Sequence, residues 1–381
     1  MRLIWMLALP LVSACAGSFQ PDFDVASSGS PAIGAMGIEE LNLFVYAPEA
    51  VQGIPVLLDT GAPFSFLNPA LMPGARQEGD HMSALTIGGV TFHDFFNELG
   101  TGLPLLGADV FGKFATRFDY RDKEIRFAPS EPPAGVAPPI ERAFELEGGG
   151  ETKTSFGVRY FAATRIFVSV EVEGRALTLL LDTGADVVYL RRQTFDALVG
   201  DGRKTLSITA AAAGGAVDTE VARTSSVRVY GEEVSDAFIS YVDEGRIDEL
   251  AKEAGRPVDG LLGAAFLRHF AIDIDYPRRT LALHRYLDDS QLVDPYARVG
   301  IELRGSSSVH PYEIATVYAG TDAASKGLKP GDVLLTIDEL DLDQANLDPF
   351  AAMRALRGPI GTLHQLTTTT GVFSVAVDQL L

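Results

Sequence analysis

The sequence predicts a mostly β-strand chain in which one arrangement of strands occurs twice, followed by a smaller C-terminal unit with both helix and strand. From about Gly37 onward, short apolar runs alternate with polar residues between glycine-bearing turns. An apolar run that ends in Asp-Thr-Gly-Ala occurs at residues 56–62 and again at 179–185. From about Pro295 the pattern changes to strands interleaved with helix-forming segments.

Length and composition exclude several classes of function. A chain of 381 residues, with 46% hydrophobic and 22% charged residues, is long enough for two or three globular domains. The net charge of −20 argues against nucleic acid and against an anionic membrane surface as partners. The six histidines show no metal-ligand spacing. We therefore expect no metal and no cofactor.

The N-terminus indicates export and lipid attachment. Met1-Arg2 precedes an apolar run from Leu3 to Val12, and the chain's single cysteine, Cys15, follows Ser13-Ala14 as in a bacterial lipobox. Residues 1–15 are predicted to be a lipoprotein signal peptide, with lipid on Cys15. A plain secretory signal with an incidental cysteine is the alternative. Residues 16–36 are rich in Ser, Gly and Pro and are predicted to be a flexible tether.

The repeat extends beyond the two Asp-Thr-Gly segments. Residues 105–127 align without a gap on residues 261–283, sharing Leu-Leu-Gly-Ala, a Phe, an Ala and Asp-Tyr. The second copy holds about thirty more residues between its Asp-Thr-Gly and its Leu-Leu-Gly. Chance is a poor account of two such pairs. A duplicated structural turn without chemistry remains the alternative.

Local patterns predict several further elements. Hairpins are predicted at residues 84–96 and 165–181, helices at 192–199 and 244–254, and two strands between Ser226 and Val242. Four prolines between Ser130 and Pro139 predict a linker, which we place at residues 131–150.

These motifs resemble those of the aspartic proteases. Leu180 to Asp186 looks like the retroviral-type (retropepsin-like) branch, and two copies in one chain are similar to the two-lobe arrangement of pepsin. The resemblance implies two pseudo-symmetric acid-protease β-barrel lobes, at residues 37–130 and 151–290, with a cleft between them. It implies that Asp59 and Asp182 are the catalytic pair.

The resemblance also implies roles for the neighbouring residues. Thr60 and Thr183 would each hydrogen-bond to the opposite loop, and Gly61 and Gly184 would keep backbone N–H groups close to the carboxylates. Asp186 matches a position that binds the substrate backbone. The first copy has Pro63-Phe64 there instead, so the two sides of the cleft should differ.

Such enzymes cover their substrate with a β-hairpin flap. Gly214 and Gly215 lie between Asp182 and Gly263 and are predicted to form its tip. An ordinary surface loop is the alternative, because the flap of pepsin belongs to the first lobe.

The chemistry follows from two carboxylates that hold one water. Like charges this close cannot both ionise, so the pair shares one proton. The ionised member takes a proton from the attacking water, and the protonated member donates one to the peptide carbonyl oxygen. Both copies carry alanine after the glycine, at Ala62 and Ala185, where pepsin-like enzymes have a hydroxyl residue. Without that hydroxyl, the ionised carboxylate loses a hydrogen bond, which should raise the pKa of the pair. We therefore expect activity at mildly acidic to near-neutral pH.

The C-terminal residues 295–381 resemble a bacterial PDZ domain. The pattern Ala-x-x-Gly-Leu-x-Pro-Gly-Asp begins at Ala324 and is followed by an amphipathic helix at 348–356 and a strand at 372–377. A PDZ domain adds an extended peptide as a strand and captures its terminal carboxylate. Val299, Gly300 and Ile301 are the predicted carboxylate loop. Docking on the protease lobes without peptide binding is the alternative.

Taken together, these features predict a monomeric, lipid-anchored aspartic endopeptidase on the periplasmic side of the cell envelope, with peptide or protein substrates. The outer membrane is favoured because Ala16, rather than an acidic residue, follows Cys15. The alternative is a catalytically inactive envelope lipoprotein that acts as a peptide-binding scaffold.

Overall fold

The computed structural model describes most of residues 104–381 and shorter segments before them. The undescribed residues after 104 are 128–132, 149, 155–156, 162, 213–214, 291, 305–311 and 344–350. The described residues before 104 are 23–25, 32–39, 42–46, 55–63, 65–66, 68, 71–72, 77–78, 81–82, 85–87, 90–92 and 95–96. The model is 47% strand and 14% helix, which confirms the mostly-β class.

The part of the chain that contains the first Asp-Thr-Gly forms short strands and one helical turn. They are β1 (Phe23–Val25), β2 (Ala32–Glu39), β3 (Asn42–Tyr46), β4 (Pro55–Leu58), β5 (Gln77–Glu78), β6 (His81–Met82), β7 (Leu85–Ile87), β8 (Val90–Phe92), β9 (Phe95–Phe96), β10 (Leu105–Leu106), α1 (Ala108–Phe111), β11 (Ala115–Asp119) and β12 (Glu124–Phe127).

The part that contains the second Asp-Thr-Gly is longer and adds two full helices. Its elements are β13 (Ile140–Ala143), β14 (Leu146–Glu147), β15 (Gly150–Thr154), β16 (Gly157–Phe161), β17 (Arg165–Val172), β18 (Arg175–Leu181), β19 (Val188–Leu190), α2 (Arg192–Val199), β20 (Thr205–Ala212), β21 (Gly215–Thr224), β22 (Val227–Val229), β23 (Glu232–Val234), β24 (Ala237–Tyr241), α3 (Glu244–Ala254), β25 (Gly260–Leu262), α4 (Ala264–Leu267), β26 (Phe270–Asp275) and β27 (Thr280–Arg285).

The C-terminal part mixes short helices with strands. Its elements are β28 (Ala297–Val299), β29 (Ile301–Leu303), β30 (Ile314–Val317), α5 (Asp322–Ser325), β31 (Leu334–Ile337), β32 (Leu340–Asp341), α6 (Ala351–Ala355), β33 (Leu363–Thr368) and β34 (Gly371–Gln379). It has its own apolar core, centred on residues such as Val299, Leu334 and Leu366. The helix predicted at 348–356 corresponds to α6, and residues 348–350 lie outside the described residues.

Both copies of the repeat place a parallel strand beside the strand that ends in Asp-Thr-Gly. In the first copy β4 pairs with β10, and in the second copy β18 pairs with β25 in the same relative register. The residues paired in these parallel ladders are apolar apart from Gly260, as expected of parallel strands covered on both faces. The pairing fixes the position at which each chain turns into its Asp-Thr-Gly loop.

The two copies share a sheet and a core. One sheet has the strand order β10-β4-β3-β2-β12-β11-β26-β27-β13, so strands from both copies meet where β11 pairs with β26. Across that junction the Arg117 guanidinium binds the Asp273 carboxylate through two bonds of 2.5 and 2.6 Å. A single apolar cluster contains buried residues of both copies.

The local predictions for the second copy agree well with the structure. The hairpin β17–β18 turns at Glu173-Gly174, and both residues have the positive φ that such a tight turn requires. Helices α2 and α3 begin and end at the predicted residues. Helix α3 is capped by the Asp243 side chain and ends at Gly255, which has a φ of 68°.

Three sequence expectations need correction. The predicted tether at 16–36 contains β1, which pairs with β8, and the start of β2. The predicted linker at 131–150 contains β13 and β14, which pair with β27 and β17. Residues 226–242 form three strands rather than two, because a second turn occurs at Asp236, whose φ is 57°. Strands β1, β13 and β14 have only two to four residues each, too few to show a clear alternation in the sequence.

Among the described residues, no helix has both the length and the apolar composition needed to cross a membrane.

Candidate active site

The first Asp-Thr-Gly loop lies at the end of β4. The backbone N–H of Asp59 donates to the carbonyl of Leu106 at 2.9 Å, which ties the start of the loop to β10. The Asp59 carboxylate accepts a bond of 2.8 Å from the backbone N–H of Ala62. The carbonyl of Ala62 in turn accepts from the N–H of Ala108 at 2.8 Å. The loop is therefore held on both sides by the segment that contains Gly107.

The second loop repeats this arrangement at the end of β18. The N–H of Asp182 donates to the carbonyl of Leu262 at 3.1 Å, and the carbonyl of Ala185 accepts from Ala264 at 2.8 Å. The Asp182 carboxylate accepts a bond of 2.8 Å from the N–H of Gly184. A Cβ on Gly263 would lie 2.5 Å from the Ala185 carbonyl oxygen, so only glycine allows this close packing.

Two threonines join the loops to each other. The Thr183 hydroxyl accepts from the backbone N–H of Thr60 at 3.1 Å and donates to the carbonyl of Leu58 at 2.7 Å. The Thr60 hydroxyl accepts from the N–H of Thr183 at 3.1 Å and donates to the carbonyl of Leu181 at 3.1 Å. Both side chains are fully buried. These four bonds hold the loops face to face in a nearly symmetric way.

The glycines of each loop lie against the aspartate of the other. A Cβ on Gly61 would lie 2.6 Å from the carboxyl carbon of Asp182, and a Cβ on Gly184 would lie 2.6 Å from that of Asp59. The two carboxyl groups are close enough that each affects the pKa of the other. Residues 123 positions apart in sequence are thus brought into direct contact.

Protein surrounds both carboxyl groups on most sides, although each keeps some access to solvent. Burial raises the pKa of Asp59 above its ordinary value. Burial, and then the charge of Asp59, raise the pKa of Asp182 well above its ordinary value. A close pair with raised pKa values retains one proton at a pH where an exposed carboxyl has lost it.

Residues 168–266 match the family model of aspartyl proteases. This segment contains Asp182 and the Leu-Leu-Gly of the second copy but not Asp59. A search of the curated proteins found no match. Among solved structures, the aspartic proteinase from Irpex lacteus is similar at a TM-score of 0.41 and 12% identity, over 68% of this chain and 98% of that one.

The family match supports a general assignment of protease activity to the part of the chain that carries the second loop. The first loop lies outside the matched residues. We assign the first loop to the site because of the internal repeat and because Thr60, Gly61 and Asp59 contact the second loop.

Asp186 is half-buried beside the second loop, and its carboxylate has partners within the protein. It accepts a bond of 2.7 Å from the Tyr189 hydroxyl and one of 3.0 Å from the N–H of Val187. In the first copy the equivalent neighbourhood uses Ser65, whose hydroxyl donates to Asp109 at 2.8 Å. The two sides of the site therefore differ in chemistry, as the sequence predicted.

The segment predicted as a flap is a hairpin formed by β20 and β21. Strand β24 pairs with the end of β21, from Ala222 to Thr224, and leaves the rest of the ribbon beyond the sheet. Gly214 lies outside the described residues, and Gly215 is the first residue of β21. The described strands thus give the ribbon form expected of a flap, while its covering role remains a proposal.

Sequence reasoning missed a buried cation at the site. Arg165, at the start of β17, is 8% exposed, and its Nε donates to the carbonyl of Gly61 at 3.2 Å. Its guanidinium also forms an ion pair with Glu253 of α3. The first loop is therefore attached to the second copy by Arg165 as well as by Thr183. No local pattern marks Arg165, because its partners are far away in sequence.

A pair of buried tyrosines was also missed, although the repeat contained the signal for it. The Asp-Tyr shared by both copies places Tyr120 and Tyr276 in the core, 1% and 3% exposed. Neither hydroxyl has a hydrogen-bond partner among the described residues. The charge of Asp182 acts on Tyr120 and that of Asp59 acts on Tyr276, and burial raises the pKa of both phenols. The two copies thus place equivalent buried phenols within the electrostatic influence of the two aspartates.

The remaining predicted site residues lie elsewhere. Val299 and Ile301 are buried in the C-terminal core, and a Cβ on Gly300 would lie 2.4 Å from the Thr321 side chain. Cys15 lies outside the described residues. No group of three or more His, Cys, Asp or Glu side chains in the described part of the chain could hold a metal ion.

Proposed function

We propose that this chain is an aspartic-type endopeptidase that uses Asp59 and Asp182 to activate one water molecule. The observation that carries the proposal is that the glycine of each loop lies against the aspartate of the other, held by the reciprocal bonds of Thr60 and Thr183. A merely structural turn would not require two half-buried acids to share one site, since an unpaired acid there destabilises the fold.

The geometry accounts for each step of hydrolysis. The shared proton leaves one carboxyl ionised and the other protonated. The ionised carboxylate removes a proton from water as the water oxygen attacks the peptide carbonyl carbon, and the protonated carboxyl donates its proton to the carbonyl oxygen. The carboxyl that took the proton from water then gives it to the amide nitrogen, while the other carboxylate takes a proton from a hydroxyl of the tetrahedral diol. The C–N bond breaks, and the pair again holds one proton. No residue becomes covalently attached to the substrate.

Substitution of each aspartate tests the proposal directly. The purified chain should cleave a mixed peptide library between pH 4 and 7, with products identified by mass spectrometry. Asp59→Asn and Asp182→Asn should each lower the rate by about a thousandfold or more, because general acid–base catalysis depends on both groups. Circular dichroism of both variants should match that of the parent.

The same experiment decides between the enzyme and the alternative scaffold. Equal cleavage by the parent and by Asp182→Asn would mean that a contaminant or another site is responsible. Absence of cleavage by the parent at every pH, together with peptide binding, would favour a non-catalytic peptide-binding lipoprotein.

We also propose that residues 295–381 act as a PDZ domain that presents substrate to the protease or regulates it. Among the described strands, β29 pairs only with β30, so its other edge is open to an added strand. The N–H of Val299 already donates to the carbonyl of Leu356 at 2.9 Å. Peptide binding would therefore depend on the edge of β29 and the neighbouring N–H groups of Gly300 and Ile301. Titration with C-terminal peptides, free and amidated, tests this.

The proposed location is the periplasmic side of the cell envelope, with the chain anchored through lipid on Cys15 and the outer membrane favoured. The support for this proposal is the sequence around Cys15 alone. Metabolic labelling with a fatty acid should label the parent chain but not Cys15→Ser. Labelling of both chains would exclude Cys15 as the attachment point.

A further inference from the structure

Helix α3 packs directly on the second catalytic loop. It lies in the additional residues of the second copy, between β24 and β25. Its apolar face buries Ile247 and Leu250 in a small cluster with Leu180, Ala185 and Leu261. Because Ala185 belongs to the loop itself, α3 has a fixed position relative to Asp182.

The same helix also reaches the first loop. Glu253, in the last turn of α3, forms an ion pair with Arg165, and Arg165 donates to the carbonyl of Gly61. One face of α3 is thus directed toward the place where the two loops meet.

Arg246 lies on that face, nearer to the start of the helix. It precedes Glu253 by seven residues, which in an α-helix brings two side chains within about 20° of each other and about 10 Å apart along the axis. Its side chain is exposed. Its positive charge favours the ionised forms of both Asp59 and Asp182, in agreement with a guanidinium on the side of the site.

The Arg246 guanidinium forms no ion pair or hydrogen bond with another described residue, whereas neighbouring arginines do. Arg191 binds Glu244 and Asp248, and Arg192 binds Asp196. The chain has a net charge of −20, so a cation that pairs with no described acidic residue, beside the two Asp-Thr-Gly loops, is opposite in sign to the chain as a whole. It gives the site a local attraction for anions in an otherwise repelling field.

We propose that Arg246 binds a carboxylate of the substrate near the scissile bond, so that the enzyme prefers peptides with an acidic residue or a free C-terminal carboxylate at that position. This inference rests on the proposed endopeptidase function. A guanidinium recognises a carboxylate through two parallel N–H···O bonds, which lysine cannot form in the same way. Either source of the carboxylate offers the same chemistry.

The test compares matched peptides. The cleavage sites found in a peptide library define a parent peptide, from which Glu and Gln versions are made at each position within three residues of the scissile bond. We expect the parent enzyme to cleave one Glu version with a kcat/KM about tenfold above its Gln partner. In Arg246→Gln this ratio should fall close to one, and in Arg246→Lys it should be intermediate.

Lys252→Gln is the matched control, because it removes one positive charge from the same helix on a different face. It should keep the full Glu/Gln ratio, and added salt should reduce that ratio in the parent. A second pair of peptides, with a free or an amidated C-terminus close to the scissile bond, shows whether a terminal carboxylate replaces the acidic side chain.

Different results contradict the two proposals. Equal cleavage of the Glu and Gln versions and of the free and amidated peptides by the parent would overturn the role of Arg246 and leave the peptidase intact. A preference that persists in Arg246→Gln would do the same. No cleavage of any library peptide would overturn the proposed function, and this inference with it.

Discussion

Replacing Thr183 by valine tests how the two Asp-Thr-Gly loops are held together. Valine has the shape of threonine but cannot form the two bonds of the hydroxyl, from the N–H of Thr60 and to the carbonyl of Leu58. Both lost partners are buried backbone groups. Each unpaired group costs about 1–3 kcal/mol, and the added methyl returns about 1 kcal/mol. We expect the free energy of unfolding to fall by about 3 kcal/mol.

The assay is unfolding in urea followed by far-ultraviolet circular dichroism, with Thr183→Ser as the control. Serine keeps the hydroxyl and loses only a methyl group, which should cost about 1 kcal/mol. The two variants must have the same dependence on urea for the comparison to be valid. If Thr183→Val is as stable as Thr183→Ser, the hydroxyl bonds do not stabilise the fold and the reasoning is wrong.

Four further outcomes follow from the contacts of the site. Gly61→Ala should lower activity by about a hundredfold or more while the protein stays folded, because the new Cβ would lie 2.6 Å from the Asp182 carboxyl carbon; an active variant contradicts this contact. Asp182→Asn should become more stable relative to the parent as the pH rises from 4 to 7.5. Burial and the charge of Asp59 raise the pKa of Asp182 above 3.8, so the folded parent loses stability when Asp182 loses its proton, and asparagine has no proton to lose. Melting temperatures at both pH values check this, and a constant difference would refute it. Arg165→Met should shift the acidic limb of the pH–rate profile to higher pH, because it removes a cation that favours the ionised forms of Asp59 and Asp182. Arg165→Lys keeps the charge and should shift the limb less. An unchanged profile in Arg165→Met would exclude the electrostatic role. Asp109→Asn should stabilise the protein above pH 6 and not below pH 4. Burial raises the pKa of Asp109 to about 6, so the folded parent loses stability when this carboxyl ionises. Equal melting temperatures of variant and parent at pH 7.5 would show that ionisation of Asp109 does not destabilise the fold.

The parts of the site that repeat in sequence could be predicted from the sequence. Two copies of Asp-Thr-Gly after apolar runs, each followed by Leu-Leu-Gly, resemble the aspartic proteases, and that resemblance implied that Asp59 would meet Asp182 and that Thr60 would bond across to the other loop. The repeat carries this information because a two-fold arrangement makes each contact appear twice.

The contacts that break the symmetry could not be predicted in this way. Arg165 and Glu253 occur once each, and Arg165 meets Gly61 across 104 positions of sequence. The same holds for β13 in the predicted linker, which has one strongly apolar residue, Ile140, and is stabilised by its pairing with β27. Such elements depend on partners that only the folded chain brings together.

The pairing of β11 with β26 has a consequence for the order in which the protein can fold. A growing chain that has not yet reached residue 270 lacks β26 and β27, so the strand that follows the first loop has no neighbour on one edge. Completion of the junction must wait until three quarters of the polypeptide exists, and contacts of such large sequence separation form slowly. For most of its synthesis the polypeptide would therefore lack this junction, and the first copy could complete its sheet only after the second copy had been made.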